Sequence, residues 1–257
     1  MRIYSEENRC LLLTRQRTRG EKVFMIGKFL RLLFPESCPI CKGPATEHRT
    51  SPICPACWKE ISTYNGPSCK RCGKPMVSDV SIICGECIED APAFEWARSF
   101  GLYEGVLKDA INHFKYYGKK RLAKPISDFL LKIDLPAVDA IVPVPMHHSK
   151  LKQREFNQSA LLARELALKN KLPMLLNCLV KVRDTIPQVE LGAKERAKNV
   201  KRAFEVRDRA LVHGMRIALV DDVYTTGATV RECAKVLKRA GAKEVYVVTV
   251  AHGGGDL

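Results

Sequence analysis

The sequence lacks a long apolar run, and none of its runs approaches the roughly 18 residues that a membrane span needs. It also lacks the apolar region of a secretory signal. The N-terminal stretch MRIYSEENRCLLLTRQRTRGEK has only residues 11–13 as an apolar patch and no small-residue cleavage site. These two absences argue against a membrane span and against export. A cytoplasmic location is the expectation that remains.

The sequence also has few acidic residues relative to basic ones. The 257 residues include 28 Asp and Glu against 43 Lys and Arg, which gives a net charge of +15. Such an excess favours polyanionic partners, whether nucleic acid, phosphorylated metabolites or an acidic membrane surface. A basic solvated surface would produce the same excess, so charge alone does not choose among these partners.

Cysteine, by contrast, is abundant and ordered. Eight of the eleven cysteines form four CxxC pairs, with twelve and eleven residues between successive partners. Two intervening residues let a tight turn direct both thiolates at one metal, and two facing turns complete a four-sulfur zinc site. The pairs are Cys38/Cys41, Cys54/Cys57, Cys69/Cys72 and Cys84/Cys87. We expect sequential pairing, with a break at YNGPS, and hence two structural zinc sites.

Other interpretations of the cysteines are disulfides, which a reducing cytosol disfavours, and an iron–sulfur cluster. Four-sulfur zinc sites leave no open position for substrate, and zinc binding would contribute on the order of 10 kcal/mol per site to folding. Cys10, Cys178 and Cys233 fall outside the pattern and are expected to be free or buried thiols.

The rest of the chain alternates helical and strand patterns. Helical spacing occurs in SFGLYEGVLKDAINHFKYYGKK, LAKPISDFLLKI, QSALLARELALKN and TVRECAKVLKRAGA, while DAIVPVP, RIALVDD and EVYVVTVAH are typical of buried strands. RIALVDD, TVRECAKVLKRAGA and EVYVVTVAH form a βαβ unit, which predicts a parallel sheet.

We expect a mobile leader at 1–24, with Met25 as an alternative start. A double zinc ribbon at 25–92, opened by the short amphipathic helix GKFLRLLFP, and an α/β domain at 93–257 would follow.

The stretch IALVDDVYTTGAT carries the most specific chemistry. Asp221 and Asp222 end an apolar strand, and ligands of open α/β sheets bind outside the carboxyl ends of strands. Small and hydroxyl residues at the start of the next helix let backbone N–H groups reach a phosphate, and the carboxylates suit sugar hydroxyls or magnesium. These loop residues are Thr225, Thr226, Gly227, Ala228 and Thr229. The pattern predicts a site for a ribose 5-phosphate group, although a simple helix cap is the alternative.

LVDDVYTTGAT resembles the phosphoribosyl pyrophosphate (PRPP) loop of type I phosphoribosyltransferases. The resemblance implies that Asp221 and Asp222 hold the ribose hydroxyls, that the five loop residues hold the 5′-phosphate, and that magnesium accompanies PRPP. Two further stretches and the double ribbon are similar to the ComF family, whose members are competence proteins. The stretches are VPVPMHHSKLKQREFNQSALLA and KVRDTIPQVELGAKERAKNVKRAF. The implied architecture is a type I phosphoribosyltransferase-like parallel sheet flanked by helices, preceded by a small double zinc ribbon.

One position departs from the family pattern. Glu155 stands where the family usually has glycine, which could adopt a positive φ or let the backbone approach pyrophosphate. The neighbouring Lys150, Lys152 and Arg154 follow the strand AIVPVP at the same sheet edge as Asp221, and are a candidate pyrophosphate clamp. A solvated basic loop is the alternative.

The polar connection TIPQVELGAKERAKNVKRAF, with a buried-looking Phe204, is a candidate hood over the ligand. The resemblance assigns Arg183, Gln188, Arg196 and Asn199 to this hood. Its basic residues could instead follow a nucleic-acid backbone; they are Lys194, Arg196, Lys198, Lys201 and Arg202.

Lys115, Tyr116 and Tyr117 combine aromatic rings with positive charge, a mixture that suits single-stranded nucleic acid, although core packing would explain the tyrosines equally well. His147 and His148 are expected to be loop residues rather than metal ligands or bases. They lie close to the proposed pyrophosphate clamp in sequence.

Two functional hypotheses remain. The chain is either an enzyme that transfers phosphoribose to an unidentified acceptor, or a PRPP-responsive protein of DNA uptake that binds single-stranded DNA or a helicase partner. The family association favours the second. No catalytic acid or base is assigned, because positioning and electrostatics can carry most of such a transfer.

Overall fold

A computed structural model describes residues 36–78, 80–185 and 199–253. The leader at 1–24, the GKFLRLLFP segment and the centre of the candidate hood lie outside the described residues. No helix in the described ranges is long and apolar enough to cross a membrane.

A four-stranded parallel sheet organises the larger part of the chain. Its strands are β1 (Trp96–Leu102), β2 (Ala140–Pro143), β5 (Arg216–Tyr224) and β6 (Glu244–His252). They lie in the order β1-β6-β5-β2. The three apolar stretches predicted as strands are confirmed, and β5 extends beyond RIALVDD to Tyr224. The sequence patterns do not predict β1, whose burial does not alternate regularly. The segment forms a strand because it pairs with β6, and not because of a strand pattern in its own sequence.

Helices cover both faces of this sheet. The helices are α3 (Gly105–Tyr116), α4 (Ala123–Leu130), α5 (His148–Arg154), α6 (Gln158–Asn170) and α7 (Ala228–Arg239). The predicted stripe on α3 is confirmed, since Leu107, Ala110, Ile111 and Phe114 are all buried. Helices α3, α4 and α6 share one core with Ala218 and Val220 of β5.

Helix α7 packs into a second core with Ile217 and Leu219. Alternate residues of β5 therefore point to opposite faces, as a buried parallel strand requires.

A small antiparallel pair, β3 (Leu179–Lys181) and β4 (Phe204–Val206), brackets the connection predicted to form the hood. Phe204 is buried, as expected. Single turns of 3₁₀ helix occur at Lys120–Leu122 and Arg209–Leu211.

The two cysteine-rich units carry one-turn helices α1 (Pro55–Lys59) and α2 (Gly85–Glu89). The first unit joins the core of α3, α4 and α6, where Trp58 stacks on Phe129 at a centroid distance of 5.6 Å. The second joins the core of α7, and Gly73 fits closely there. Its φ is 74°, and a Cβ atom would lie 2.8 Å from the carbonyl oxygen of Ala97. The two ribbons thus pack on opposite faces of the sheet. The domain division at residue 92 stays a prediction.

Candidate functional site

The acidic pair lies near the carboxyl end of β5, at the edge where parallel strands present ligand sites. Asp221 Oδ1 accepts hydrogen bonds from Ser159 Oγ at 2.7 Å and from the backbone N–H of Asp222 at 2.9 Å. Lys115 Nζ lies 3.0 Å from Asp222 Oδ1. A strand and two helices, α3 and α6, therefore meet at the two carboxylates.

Burial and the neighbouring Asp222 carboxylate raise the pKa of Asp221 to about 7, against the opposing effects of the Ser159 hydrogen bond and the Lys115 charge. Burial alone would lower the pKa of Lys115, but the charge and hydrogen bond of Asp222 outweigh it and raise that pKa. The lysine therefore stays charged, and Asp221 changes protonation near neutral pH.

The predicted phosphate loop turns directly from β5 into α7. Gly227 is the N-cap of α7 with a φ of 73°, and a Cβ atom there would come within 2.1 Å of Tyr224 Oη. Both the backbone conformation and the close approach require glycine at this position. Thr226 Oγ1 accepts a 3.5 Å hydrogen bond from the N–H of Ala228, the first residue of α7.

A cavity of about 260 Å³ opens over this loop. It is lined by the acidic pair, by Tyr103, Lys115 and Tyr116, and by the loop residues Thr225, Gly227, Ala228 and Thr229. The N-terminus of a 12-residue helix at this cavity suits an anion.

A second cavity of about 240 Å³ lies on the other side of the acidic pair and shares Lys115, Tyr116, Asp221 and Asp222 with the first. Its remaining lining includes three basic side chains, those of Lys150, Arg154 and Lys181. The acidic pair thus lies between a phosphate-type cavity and a basic cavity.

Only two of the three residues predicted to clamp pyrophosphate line the basic cavity. Arg154 and Lys150 line the basic cavity, whereas Lys152 is exposed and is not part of its lining. The clamp residues form helix α5 rather than the loop expected from sequence. His147 caps this helix and lines the cavity, and His148 begins it, so neither is an ordinary loop residue.

Several polar residues of the basic cavity were not predicted as site residues, and Lys181 and Gln158 are the two with the most unusual surroundings. Lys181 is half-buried, and burial together with the charge of Lys150 lowers its pKa to about 8. Gln158 is 1% exposed, and its Nε2 has no hydrogen-bond partner among the described residues. A buried donor without a partner at the start of α6 suits a polar ligand in this cavity. The only sequence signals were the short stretches FNQS and KVRD.

The hood residues fall into two groups. Arg183 donates hydrogen bonds of 2.8 Å to the carbonyl oxygens of Asn199 and Lys201, which ties the two ends of the connection together. Gln188 and Arg196 lie outside the described residues, so their assignment stays a prediction.

Glu155 adopts a φ of 64°, the left-handed region that glycine occupies readily, and ends α5. Its carboxylate lies 3.4 Å from Lys120 Nζ. Beside it, the Arg154 guanidinium lies 4.9 Å from the centroid of the Tyr116 ring. The backbone conformation predicted for the family's glycine is therefore present with a charged side chain in its place.

The eight paired cysteines form two tetrads, and the predicted sequential pairing is confirmed. Within each tetrad the sulfur atoms all lie within 4.8 Å of one another. The tetrads are Cys38, Cys41, Cys54 and Cys57, and Cys69, Cys72, Cys84 and Cys87. Sulfur–sulfur contacts of 3.6 Å match the roughly 3.8 Å that tetrahedral zinc with bonds of about 2.3 Å requires.

Backbone hydrogen bonds favour the ionised form of one thiol in the second tetrad, that of Cys69. Burial opposes ionisation of Cys69, but hydrogen bonds from the N–H groups of Cys72 and Cys84 lower the pKa of its thiol to about 7. Cys178 and Cys233 are buried free thiols outside the tetrads, as expected. The donor sets fit two closed, structural zinc sites.

The parallel sheet, the acidic pair and the two tetrads define a phosphoribosyltransferase-type domain with a double zinc ribbon. Residues 158–256 match the family model for the phosphoribosyl transferase domain, and residues 29–88 match the model for the double zinc ribbon domain. The fold predicted from sequence is confirmed.

Comparison with three related proteins identifies the family of the chain. Competence protein F of Haemophilus influenzae is 31% identical over 226 residues, covering 84% of this chain and 96% of that protein. DNA utilization protein YhgH of Escherichia coli K12 is 30% identical over 224 residues, with coverages of 84% and 96%. Competence protein ComFC of Bacillus subtilis is 26% identical over 206 residues, with coverages of 74% and 79%. The chain belongs to the ComF family.

Proposed function

We propose that this ComF-family protein binds PRPP together with magnesium in the cleft at the carboxyl edge of its sheet. The observation that carries the proposal is the position of the acidic pair, which lies between a helix-capping loop and a basic cavity. A ligand with a phosphate, a diol and a pyrophosphate in that order matches the three parts of the cleft.

Each part of the cleft has a distinct task. The loop at 225–229 and the N-terminus of α7 would hold the 5′-phosphate, and Asp221 and Asp222 would accept hydrogen bonds from the ribose hydroxyls. Lys150, Arg154 and Lys181 line the cavity where the pyrophosphate would lie. Carboxylate oxygens also suit magnesium, which would neutralise charge on the pyrophosphate.

Binding of PRPP is tested by titration calorimetry with magnesium present. We expect a measurable affinity for the wild type and a loss of about tenfold or more in Asp222→Asn, because a charged hydrogen-bond acceptor is lost. Asp134→Asn is the matched control, since Asp134 is exposed and lines neither cavity. Absence of heat with the wild type, or an unchanged Asp222→Asn, would refute the proposal.

At the cellular level we propose a role in DNA uptake, supported by the names of the relatives, which are competence and DNA utilization proteins. Binding of single-stranded DNA is the proposed molecular basis. Tyr116 and Tyr117 are 60% and 66% exposed, so the alternative of core packing does not apply to them. The exposed Tyr116 ring beside Arg154, together with the neighbouring Tyr117 ring, would offer a platform on which bases can stack. A DNA-uptake helicase remains the proposed protein partner.

The second candidate function is phosphoribosyl transfer to an acceptor. It is favoured by the basic lining around the position of the leaving pyrophosphate, since such charge is most useful when that group departs. Pyrophosphate release, followed with purine, pyrimidine and amine acceptors, separates the two functions. Release that depends on an acceptor identifies a transferase, whereas binding without release identifies a PRPP-responsive protein.

A further inference from the structure

The side chain of Arg231 connects the second cysteine tetrad to the phosphate loop. This residue lies on the first turn of α7, where its backbone N–H donates to the carbonyl oxygen of Gly227 at 2.8 Å. Its guanidinium donates to the carbonyl oxygen of Asp90 at 2.7 Å and to Cys87 Sγ at 3.4 Å. Only 17% of the Arg231 side chain is exposed. Arg231 is thus part of the helix that begins at the loop, and its side chain contacts a sulfur of the second tetrad.

The connection continues to the glycine of the loop through Tyr224. The guanidinium of Arg231 also lies close enough to the hydroxyl of Tyr224 to interact with it electrostatically. That hydroxyl oxygen is the atom that a Cβ on Gly227 would approach within 2.1 Å. The Tyr224 ring is buried and stacks on His252 at a centroid distance of 4.8 Å. The guanidinium therefore lies beside the side chain that packs against the glycine of the loop.

We propose that Arg231 is a positioning residue through which the metal-loaded second tetrad holds the phosphate loop in its binding conformation. Four thiolates and one Zn²⁺ sum to a charge of about −2, so Cys87 Sγ is a strong acceptor for a guanidinium when the metal is bound. The first tetrad packs in the core of α3, α4 and α6, on the opposite face of the sheet from α7. The identity of the phosphate ligand rests on the proposed function, whereas the effect on the loop does not.

The first test needs no ligand. Hydrogen exchange of the amides at 224–231 is compared between wild type and Arg231→Met, each carrying two zinc ions by metal analysis. We expect exchange in the variant to be about tenfold faster at the loop and unchanged in the interior of β5. Arg98→Met is the matched control, because Arg98 also contacts the second ribbon, through the carbonyl oxygen of Lys70, but lies on β1 away from the loop. Loop exchange that Arg231→Met leaves unchanged, at full zinc content, would overturn the proposal.

The second test uses the reciprocity of coupled binding. The two zinc affinities are measured by equilibrium competition with a chelating dye, with and without magnesium and PRPP. In the wild type we expect the ligand to raise the affinity for one of the two zinc ions about fivefold, and in Arg231→Met to raise neither. PRPP that binds the wild type by calorimetry, yet leaves both zinc affinities unchanged, would contradict the coupling. If calorimetry shows no PRPP binding, the proposed function fails, and the exchange experiment still decides the role of Arg231.

Discussion

Lys115 Nζ on α3 and Asp222 Oδ1 on β5 form an ion pair of 3.0 Å in which both side chains are largely buried, at 14% and 12% exposure. The pair lies where the two cavities of the cleft meet. The lysine therefore supplies the positive charge nearest to the carboxylates, and any ligand that engages Asp222 must do so beside this ammonium group.

Lys115→Met is expected to weaken PRPP binding about tenfold or more, because it removes a charged donor from a largely buried anion site. It should also destabilise the protein by about 3 kcal/mol, since Asp222 loses the partner that compensates its burial. Calorimetry and urea unfolding measure the two effects. Lys108→Met, at an exposed position on the same helix, should change neither. Equal affinities for the two variants would remove Lys115 from the binding site.

The raised pKa of Asp221, about 7 against an ordinary value near 3.8, makes stability depend on pH. In that interval the folded chain holds a proton that the unfolded chain has lost, so the contribution of Asp221 to stability falls as pH rises from about 4 to 7. Asp221→Asn keeps the hydrogen-bond acceptor without the charge. We expect it to be more stable than wild type by about 1–3 kcal/mol at pH 8, and by much less at pH 5. Urea unfolding at both pH values gives the comparison, with Asp134→Asn as the control. A gain that is the same at both pH values would show that Asp221 does not titrate in this range.

Replacement of Glu155 by glycine should improve both stability and affinity. The φ of 64° is unfavourable for glutamate, and glycine relieves about 1 kcal/mol of this cost. Removal of a negative charge beside Lys120 and Arg154 should also tighten PRPP binding a fewfold. Lys171→Gly is the matched control, because Lys171 has a φ of 55° at the end of α6. We expect this control to gain stability without a change in affinity. If Glu155→Gly gains stability but binds PRPP with unaltered affinity, the Glu155 charge does not affect binding.

Binding of single-stranded DNA should depend on salt through basic residues and on base stacking through the exposed tyrosines. Neutralising Lys201 and Arg202 together is expected to reduce the slope of log affinity against log salt by about 1.4, since each phosphate contact contributes about 0.7. Tyr116→Ala should weaken binding by about 1–3 kcal/mol with the slope unchanged, because stacking releases no counterions. Fluorescence anisotropy with a labelled oligothymidylate at several salt concentrations measures both quantities. Affinity that does not vary with salt in the wild type would exclude a phosphate-contacting mode.

The sequence could predict those parts of the site that lie in continuous segments. The CxxC spacing sets the geometry of each tetrad, and the short run from β5 into α7 places Asp221, Asp222 and Gly227 in the lining of one cavity. These contacts are local, so residue order determines them.

The basic cavity could not be predicted in the same way. Lys115, Gln158 and Lys181 come from α3, α6 and β3, and only the packing of these elements on one sheet edge brings them together. Sequence spacing holds no information about such distances. The difference between Lys150, which lines the cavity, and Lys152, which does not, likewise depends on α5 being a helix.

The position of β6 has a consequence for how the chain acquires its structure during synthesis. This strand lies between β1 and β5, and its Tyr246 pairs with Trp96, 150 residues earlier. A nascent chain that has not reached residue 252 therefore leaves β1 without its sheet neighbour, and both strands beside the missing one present unpaired backbone groups. Loop-closure entropy over such a separation makes this pairing slow. The interior of the sheet is thus the last part to assemble, and until then those two open edges are the surfaces most exposed to misassociation.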